Sequence, residues 1–547
     1  MDAFPMCFTS PSHRSSSKIY QDLISAHLLA CPAPTCSHPS HDMANADALD
    51  QVQSPLSPAP NHVIILCIIG AGFAGLRCAD ILLEHGFIVT IIEGRDRIGG
   101  RVCQQRLKNG HLVDGGPNWI HGTTDNPILD LARETNTPVG SWDARACIFD
   151  ESGNLFQPDE GEKLAGVMWG IILDAFKHSN TLSADIRPDE TLSDFFQKRV
   201  VDVIPDTEPD FLRRRKIILQ MSELWGAFVG SPVSRQSLKY FWLEECIEGE
   251  NLFCPGTYKS ILDAVARPAL SKAEIRYNSK AKRIQYGQEG KRKVGVALES
   301  GQVLSFDEIV VTCPLGWLKR NLSAFQPPLP ARLAKAIDAI GYGCLEKVYI
   351  SFLKPFWLSG DGAGADDRKV QGFAQWLSPN YASDSNPDRW SLEAVEMASL
   401  DAKTSHPTIL FYLFGEQSKH LTSKAREMQD PVKRERFLLD FFKPYYSRLP
   451  HYSETSADCR PNGCTTTDWL HDELAGYGSY SNFQAGLLEG DEDIKVMREG
   501  IPDQGFWLAG EHTAPFVALG TATGAYWSGE SIGRSIAKAY GRETQKI

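Results

Sequence analysis

The 547-residue sequence has no apolar run approaching the ~20 residues a membrane helix needs, so a spanning segment is not expected. Its last residues, Gly-Arg-Glu-Thr-Gln-Lys-Ile, offer neither a hydrophobic tail anchor nor a Ser-Lys-Leu peroxisomal address. The 13 cysteines include no CxxC pair and no Cys/His cluster with zinc spacing, so no metal site is expected. Their odd number, and the placement of Cys67 and Cys78 inside apolar segments, fit reduced thiols in an intracellular compartment. A cytoplasmic location is the expectation, with the peroxisome left open. Positive charge is short as well. Against 68 Asp and Glu stand 56 Lys and Arg, and the net charge of -12 disfavours nucleic acid as a partner. The basic run Arg213-Arg214-Arg215-Lys216 reads as a solvated helix face. No internal repeat interrupts the ordered part, which excludes a solenoid.

What is present is the composition of an ordinary globular chain, 42% hydrophobic and 23% charged, and too long for one core. Residues 1–61 are rich in Ser, Pro, His and Ala and read as a disordered leader. From residue 63 the character changes. Residues 63–69 (VIILCII) form a continuous apolar run, suited to a strand buried on both faces of a parallel sheet. Gly70-Ala71-Gly72-Phe73-Ala74-Gly75 follows at once, then a helical pattern over 76–85 stopped by Gly86. Residues 87–92 (FIVTII) read as a second buried strand, with Glu93 at its end. A glycine fingerprint alone is common by chance. In a strand–turn–helix–strand unit of about 30 residues closed by an acid, it is a dinucleotide site. Gly70, Gly72 and Gly75 serve the tight turn, the approach of a pyrophosphate and helix–strand packing. The helix N-terminus faces the phosphates. Glu93 can accept from ribose hydroxyls and would repel a 2′-phosphate, which disfavours NADP.

The continuation Gly94-Arg95-Asp96-Arg97-Ile98-Gly99-Gly100-Arg101-Val102 adds two glycines for backbone approach and an arginine fork for a diphosphate or flavin edge. Here the sequence resembles the flavin-containing amine oxidase family, which includes monoamine oxidases, polyamine oxidases and lysine-specific histone demethylases. The resemblance recurs in family order. Asp114-Gly115-Gly116-Pro117-Asn118-Trp119-Ile120-His121-Gly122 resembles the segment beside the flavin ring. Thr312-Cys313-Pro314-Leu315-Gly316-Trp317-Leu318-Lys319 resembles the strand end near the adenine. Residues 341–357 resemble the segment carrying a flavin-facing lysine, here Lys347. Trp469, Gly478-Ser479-Tyr480-Ser481 and Leu508-Ala509-Gly510-Glu511-His512-Thr513 complete the set.

The resemblance implies an α/β fold: an FAD-binding, doubly wound domain with a second, discontinuous α+β substrate domain on a mixed sheet. The FAD domain is expected from residues 62–125, 245–320 and 465–540, the substrate domain from 126–244 and 321–464, with 541–547 a tail. FAD would be held by Gly70, Gly72, Gly75, Glu93, Arg95, Gly100, Arg101, Gly116, Pro117, Asn118, Trp119, Ala281, Pro314, Trp469, Gly510, Glu511, Thr521 and Ala522. Ser479 stands where covalent flavoenzymes of the family carry a cysteine, so the FAD is expected to be non-covalent. Lys347 would hold a water by the ring and Tyr480 one wall of the substrate cage. The neighbours of His121, Trp119 and Gly122, match the polyamine-oxidase pattern, which implies His121 as a substrate contact. Thr521 occupies the place of the second cage aromatic of monoamine and plant-type polyamine oxidases, a departure that puts the full aromatic sandwich in doubt.

The reaction implied is hydride transfer from the carbon beside an amine nitrogen to FAD, reoxidised by O2 to hydrogen peroxide. A polyamine or N-acetylpolyamine is the expected substrate. The partners are then a small amine and O2, with no membrane; no oligomeric state is implied. A monoamine or secondary-metabolite amine oxidase, a lysine demethylase and a flavin-binding protein without catalysis are the alternatives. Against the demethylase stand a short leader and the lack of a coiled-coil insertion. Against the relic stand Lys347 and Tyr480. Glu244, Glu245, Glu248 and Glu250 cluster where they would either line a pocket mouth or form a solvated face.

Overall fold

The computed structural model describes residues 63–141, 146–287, 293–358 and 368–542; the expected leader and most of the tail lie outside the described residues. The apolar run after residue 63 becomes strand Ile65–Ile69, flanked in parallel by Glu308–Val311 and Ile88–Ile92. Phe506–Leu508 and Glu274–Arg276 complete a five-stranded parallel sheet. Burial on both faces explains the unbroken hydrophobicity of its central strands.

One face is covered by helices Phe73–Glu84, Lys259–Lys272 and Ala522–Ala539. The helix after the fingerprint begins three residues earlier than its apolar pattern suggests, because Gly72 itself is the N-cap. The first and last of these helices approach closely: a Cβ on Gly529 would sit 2.1 Å from the Ala74 carbonyl oxygen. The opposite face carries a four-stranded sheet and helices Ala331–Ala339 and Gly490–Glu499. Helix Pro127–Glu134 also packs in the first of these cores, through Ile128, Leu129 and Ala132. So the parallel-sheet unit gathers residues beyond the expected limits at 125 and 320.

The second unit is a six-stranded mixed sheet in the order Pro461–Thr466, Leu345–Phe352, Thr408–Phe414, Leu392–Glu396, Phe373–Trp376, Ala146–Phe149. Helices Gly415–Glu427 and Pro431–Tyr446 cover one of its faces. Helices Pro158–Leu182, Leu192–Val203 and Phe211–Ser222 form a further apolar cluster beside it. Residues 347–352 alternate in sequence as a half-solvated strand would. In the structure the strand is buried on both faces, one against these helices and the other toward the site. Among the described residues every cysteine is a free thiol, and no helix is long and apolar enough to cross a membrane.

Candidate active site

Between the two sheets lies a cavity of about 2440 Å³. A single small-ligand pocket reaches about 1,000 Å³, so this one has room for a dinucleotide and a second molecule. Its dinucleotide end is built by the glycine turn. A Cβ on Gly75 would lie 2.0 Å from the Gly70 carbonyl oxygen, so only hydrogen fits inside the turn. At Gly72, by contrast, no other described part of the chain beyond its immediate neighbours lies within 4 Å of where a Cβ would be, and Gly72 lines the cavity. Helix Phe73–Glu84 starts there with no side-chain cap and no acid in its first turn, so its orphan N–H groups and positive dipole end stay available to an anion. Glu93 is buried and accepts from the backbone N–H of Ala71 at 2.8 Å and of Arg95 at 2.7 Å. The backbone N–H of Ser279 reaches the Glu93 carbonyl oxygen at 2.8 Å, which sets Ala281 near the same end.

Other expected cofactor residues are distributed between this turn, the cavity wall and bonds elsewhere. Gly100 sits with its Cβ position 3.6 Å from Cα of Gly72. Pro314 caps the short helix Leu315–Arg320 directly after strand Glu308–Val311. Arg95 instead turns away to pair with Asp472 at 2.9 Å. Arg101 donates to the Ser479 carbonyl at 2.6 Å and pairs with Glu511 at 3.0 Å. Burial pushes the Glu511 carboxyl up, but Arg101, His512 and Ser481 outweigh it and hold it below the ordinary range. Gly116, Pro117, Asn118, Trp469, Gly510 and Ala522 line the cavity. Trp469 is fixed by an Nε1–H bond to the Gly115 carbonyl at 3.1 Å.

At the reacting end, Lys347 is 5% exposed, with its ammonium on the Gly116 carbonyl oxygen. Burial pulls it below the ordinary lysine range, with Asp114 opposing. Burial likewise raises Asp114 above the carboxylate range, against Gln104 and Lys347. Tyr480 lines the cavity and donates to the Phe228 carbonyl at 2.6 Å. Thr521 lines it too, but its hydroxyl is the N-cap of helix Ala522–Ala539: it accepts from Gly524 N–H at 2.9 Å and donates to Ala518 at 2.7 Å. That hydroxyl is committed to helix capping.

An aromatic wall that the sequence did not signal, Trp119, Phe373 and Tyr412, lines the cavity. Trp119 stacks on Phe373 at 6.0 Å, and its Nε1–H reaches the Tyr412 hydroxyl at 3.2 Å. Tyr412 donates to Asn118 Oδ1 at 3.2 Å, Asn118 donates to Tyr349 at 3.1 Å, and Tyr349 donates to the Asp114 carbonyl at 2.7 Å. This chain of bonds locks the wall. The acidic cluster is part of the cavity: Glu244, Glu245, Glu248 and Glu250 all line it. They are brought there by pairing of Trp119–Ile120 with Leu252–Phe253, and by bonds from Thr123 and Thr124 N–H to the Glu248 carbonyl at 3.0 Å. Burial pushes Glu244 up to about 8 and Glu245 to about 6, with bonds from Phe483 N–H and Asn180 opposing. His121 lies on this cavity with a buried Nδ1 that no described group reaches; burial lowers its pKa below the ordinary range, with Asn251 opposing.

Residues 73–534 match the family described as flavin containing amine oxidoreductase. The chain belongs to that family. Its relatives include both a probable polyamine oxidase and histone demethylases. It is 30% identical over 302 residues to probable polyamine oxidase 4 of Arabidopsis thaliana, covering 53% of this chain and 58% of the relative. It is 26% identical over 502 residues to lysine-specific histone demethylase 1 homolog 3 of Oryza sativa subsp. japonica, covering 90% of this chain and 56% of that one. The chain therefore spans little more than half the length of these relatives. A solved double mutant of putrescine oxidase superposes with a TM-score of 0.62 at 16% identity, over 87% of this chain and all of that one. That likeness is one of fold. The open Gly72 face, the uncapped helix N-terminus and the Arg101–Glu511 pair beside the cavity fit the flavin dinucleotide of this family.

Proposed function

We propose that the chain is an FAD-dependent amine oxidase acting on a polyamine or N-acetylated polyamine. The observation that carries the reading is that the acidic segment Glu244 to Glu250 and His121 share one cavity with Lys347 and Tyr480. Bound FAD would supply acceptance of a hydride from the carbon beside the amine nitrogen, with O2 restoring it as hydrogen peroxide forms. It would lie with its phosphates on Gly72 and the helix N-terminus and its ring toward Gly116, Lys347 and Tyr480.

The chain's own groups then handle charge. An alkylamine with a pKa of about 10.4 lies roughly 4.6 kcal/mol from its neutral form at pH 7. The aromatic wall of Trp119, Phe373 and Tyr412 disfavours the ammonium at the reacting end and so narrows that gap. The carboxylates at the mouth favour a second, distal ammonium. Lys347, partly relieved of its proton by burial, positions water and accepts a proton beside the ring.

A screen of peroxide release over monoamines, diamines, polyamines, their acetyl forms and methylated lysine peptides tests the reading. Spermine, spermidine or an acetylated form is expected to release peroxide. Peroxide from an aromatic monoamine, with none from any polyamine, would reject it. The demethylase reading is kept as the alternative because the histone demethylase relatives align along more of the chain, and the methyl-lysine peptides decide it.

Two further outcomes follow. Acid precipitation of the yellow protein should leave FAD in the supernatant, since Ser479 supplies no thiol for a linkage; flavin retained on the precipitate would contradict this. The pH dependence has a definite sign. Glu244 and Glu245, raised by burial to about 8 and about 6, lose negative charge as pH falls through those values. Affinity for a distal ammonium should therefore weaken from pH 8 down to 6. His121, lowered by burial, joins in only below the ordinary value of about 6.5. Glu245→Gln should flatten the acid side of the KM profile, and His121→Ala should change it only at still lower pH. A profile moved mainly by His121→Ala near neutrality would refute this order.

A further inference from the structure

Across the mixed sheet runs a row of four residues in register. Lys347 pairs with Tyr412, Tyr412 with Glu393, and Glu393 with Gln375. Directly opposed residues of antiparallel strands project to the same face. All four line the cavity. Neighbouring strands are about 4.8 Å apart, so the backbone positions of Lys347 and Glu393 are about 10 Å apart along the row.

Glu393 is unusual for a carboxylate this buried, at 5% exposed. Gln375 Nε2 donates to its Oε2 at 2.7 Å, and among the described residues no hydrogen bond reaches its Oε1. The Gln375 Oε1 is itself buried and has no hydrogen-bond partner among the described residues. Among the described residues no Lys or Arg pairs with the carboxylate. Other buried acids here are satisfied. Glu396 accepts from the Trp357 indole and from the N–H groups of Gly372, Ala398 and Ser399. Glu308 accepts from Trp507 and Tyr540. An isolated carboxylate with an orphaned amide oxygen beside it is costly as structure alone. It makes sense as half of a contact whose other half is a cation with N–H donors.

We propose that Glu393, held in place by Gln375, seats a second cationic nitrogen of the substrate, a primary or secondary ammonium, at a fixed span from the reacting end marked by Lys347. This rests on the polyamine reading and adds to it where along the chain a nitrogen must fall. Glu393 Oε1 accepts from that ammonium, while Gln375 Nε2 holds the other carboxylate oxygen in place. Burial pushes the Glu393 carboxyl up to about 7, with Gln375 opposing, and an ammonium set against it favours the ionised form. The mouth acids draw the cation in; the Glu393 seat sets the register of the amine against the ring.

The test compares holoenzyme and Glu393→Gln on a matched pair: the eight-carbon terminal diamine and octylamine, equal in length but differing in the distal nitrogen. Spermidine and the short diamine putrescine complete the set. KM is read for amines that turn over and an inhibition constant for those that do not. In the variant the constant for the eight-carbon diamine and for spermidine should rise about 30-fold, the lower range for breaking a buried charge contact, while octylamine and putrescine stay within about twofold. Glu393→Asp should recover part of the loss, and the flavin spectrum should be unchanged in both. If Glu393→Gln fails to hold FAD, Gln375→Leu gives a smaller change in the same direction, since it removes the amide that holds the carboxylate in place. Wild-type enzyme that oxidises no diamine or polyamine removes the polyamine reading and this inference together. Wild-type enzyme that does oxidise them, with a diamine-to-octylamine ratio unchanged in the variants, removes the inference alone.

Discussion

Replacing Lys347 with methionine is expected to leave a yellow, folded protein whose turnover is lower by roughly 10²–10⁴-fold, the range for losing a positioned acid–base group. The side chain lies on the mixed sheet, across the cavity from the glycine turn, so the dinucleotide contacts stay intact. What is lost is a lysine held on the Gly116 carbonyl and pulled below the ordinary lysine range by burial, with Asp114 opposing. The sign of the pH effect follows. A lysine lowered in this way sheds its proton earlier as pH rises, so wild-type kcat should climb on the alkaline side as the neutral amine forms. The methionine variant should lack that limb. Anaerobic reduction by amine and reoxidation by O2 should be measured separately by stopped flow. Unchanged rates in both would remove Lys347 from the chemistry.

Arg101→Met should have the largest effect on the holoenzyme as a folded object. Arg101 and Glu511 have side chains 24% and 4% exposed, and the arginine also binds the Ser479 carbonyl beside the cavity. Removing one partner of such a pair leaves a buried carboxylate uncompensated, at a cost of about 3–5 kcal/mol. The expected result is weaker FAD retention on gel filtration and a lower apparent melting temperature of the apoprotein. Adding Glu511→Gln to the variant should restore much of the melting temperature, because the stranded charge is gone, without restoring FAD affinity. A single variant that melts like wild type and keeps its flavin would overturn the assignment.

The cofactor end was legible in the sequence because its physics is local. A strand buried on both faces must be continuously apolar, a turn with a carbonyl 2.0 Å from a would-be Cβ must hold glycine, and an uncapped helix must follow. These constraints fall within one short stretch of chain. The substrate end obeys no such rule. Tyr412, Glu393 and Gln375 come from three separate strands, and only the register of the sheet puts them beside Lys347. In sequence they look like ordinary strand residues. The acidic cluster was visible, but whether it faced solvent or cavity depended on pairing between strands Trp119–Ile120 and Leu252–Phe253, far apart in the chain. The alternation of residues 347–352 marks a strand, and Leu345–Phe352 is one, but it cannot report that helices cover the far face. Thr521 looked like a cage position by counting, while its hydroxyl serves the helix that follows.

The order of strands in the parallel sheet bears on how the protein is made. Strands Ile65–Ile69 and Ile88–Ile92 leave the ribosome first, yet Phe506–Leu508 closes the same sheet. At about 5–20 residues per second, the roughly 400 residues in between take about 20–80 s to synthesise. Throughout that interval the apolar side of helix Phe73–Glu84 lacks its partner, helix Ala522–Ala539. A nascent chain holding such a surface open is a natural client for chaperones. A premature stop shortly before that helix would strand the surface permanently and send the product to aggregation or proteolysis, even with every fingerprint residue in place.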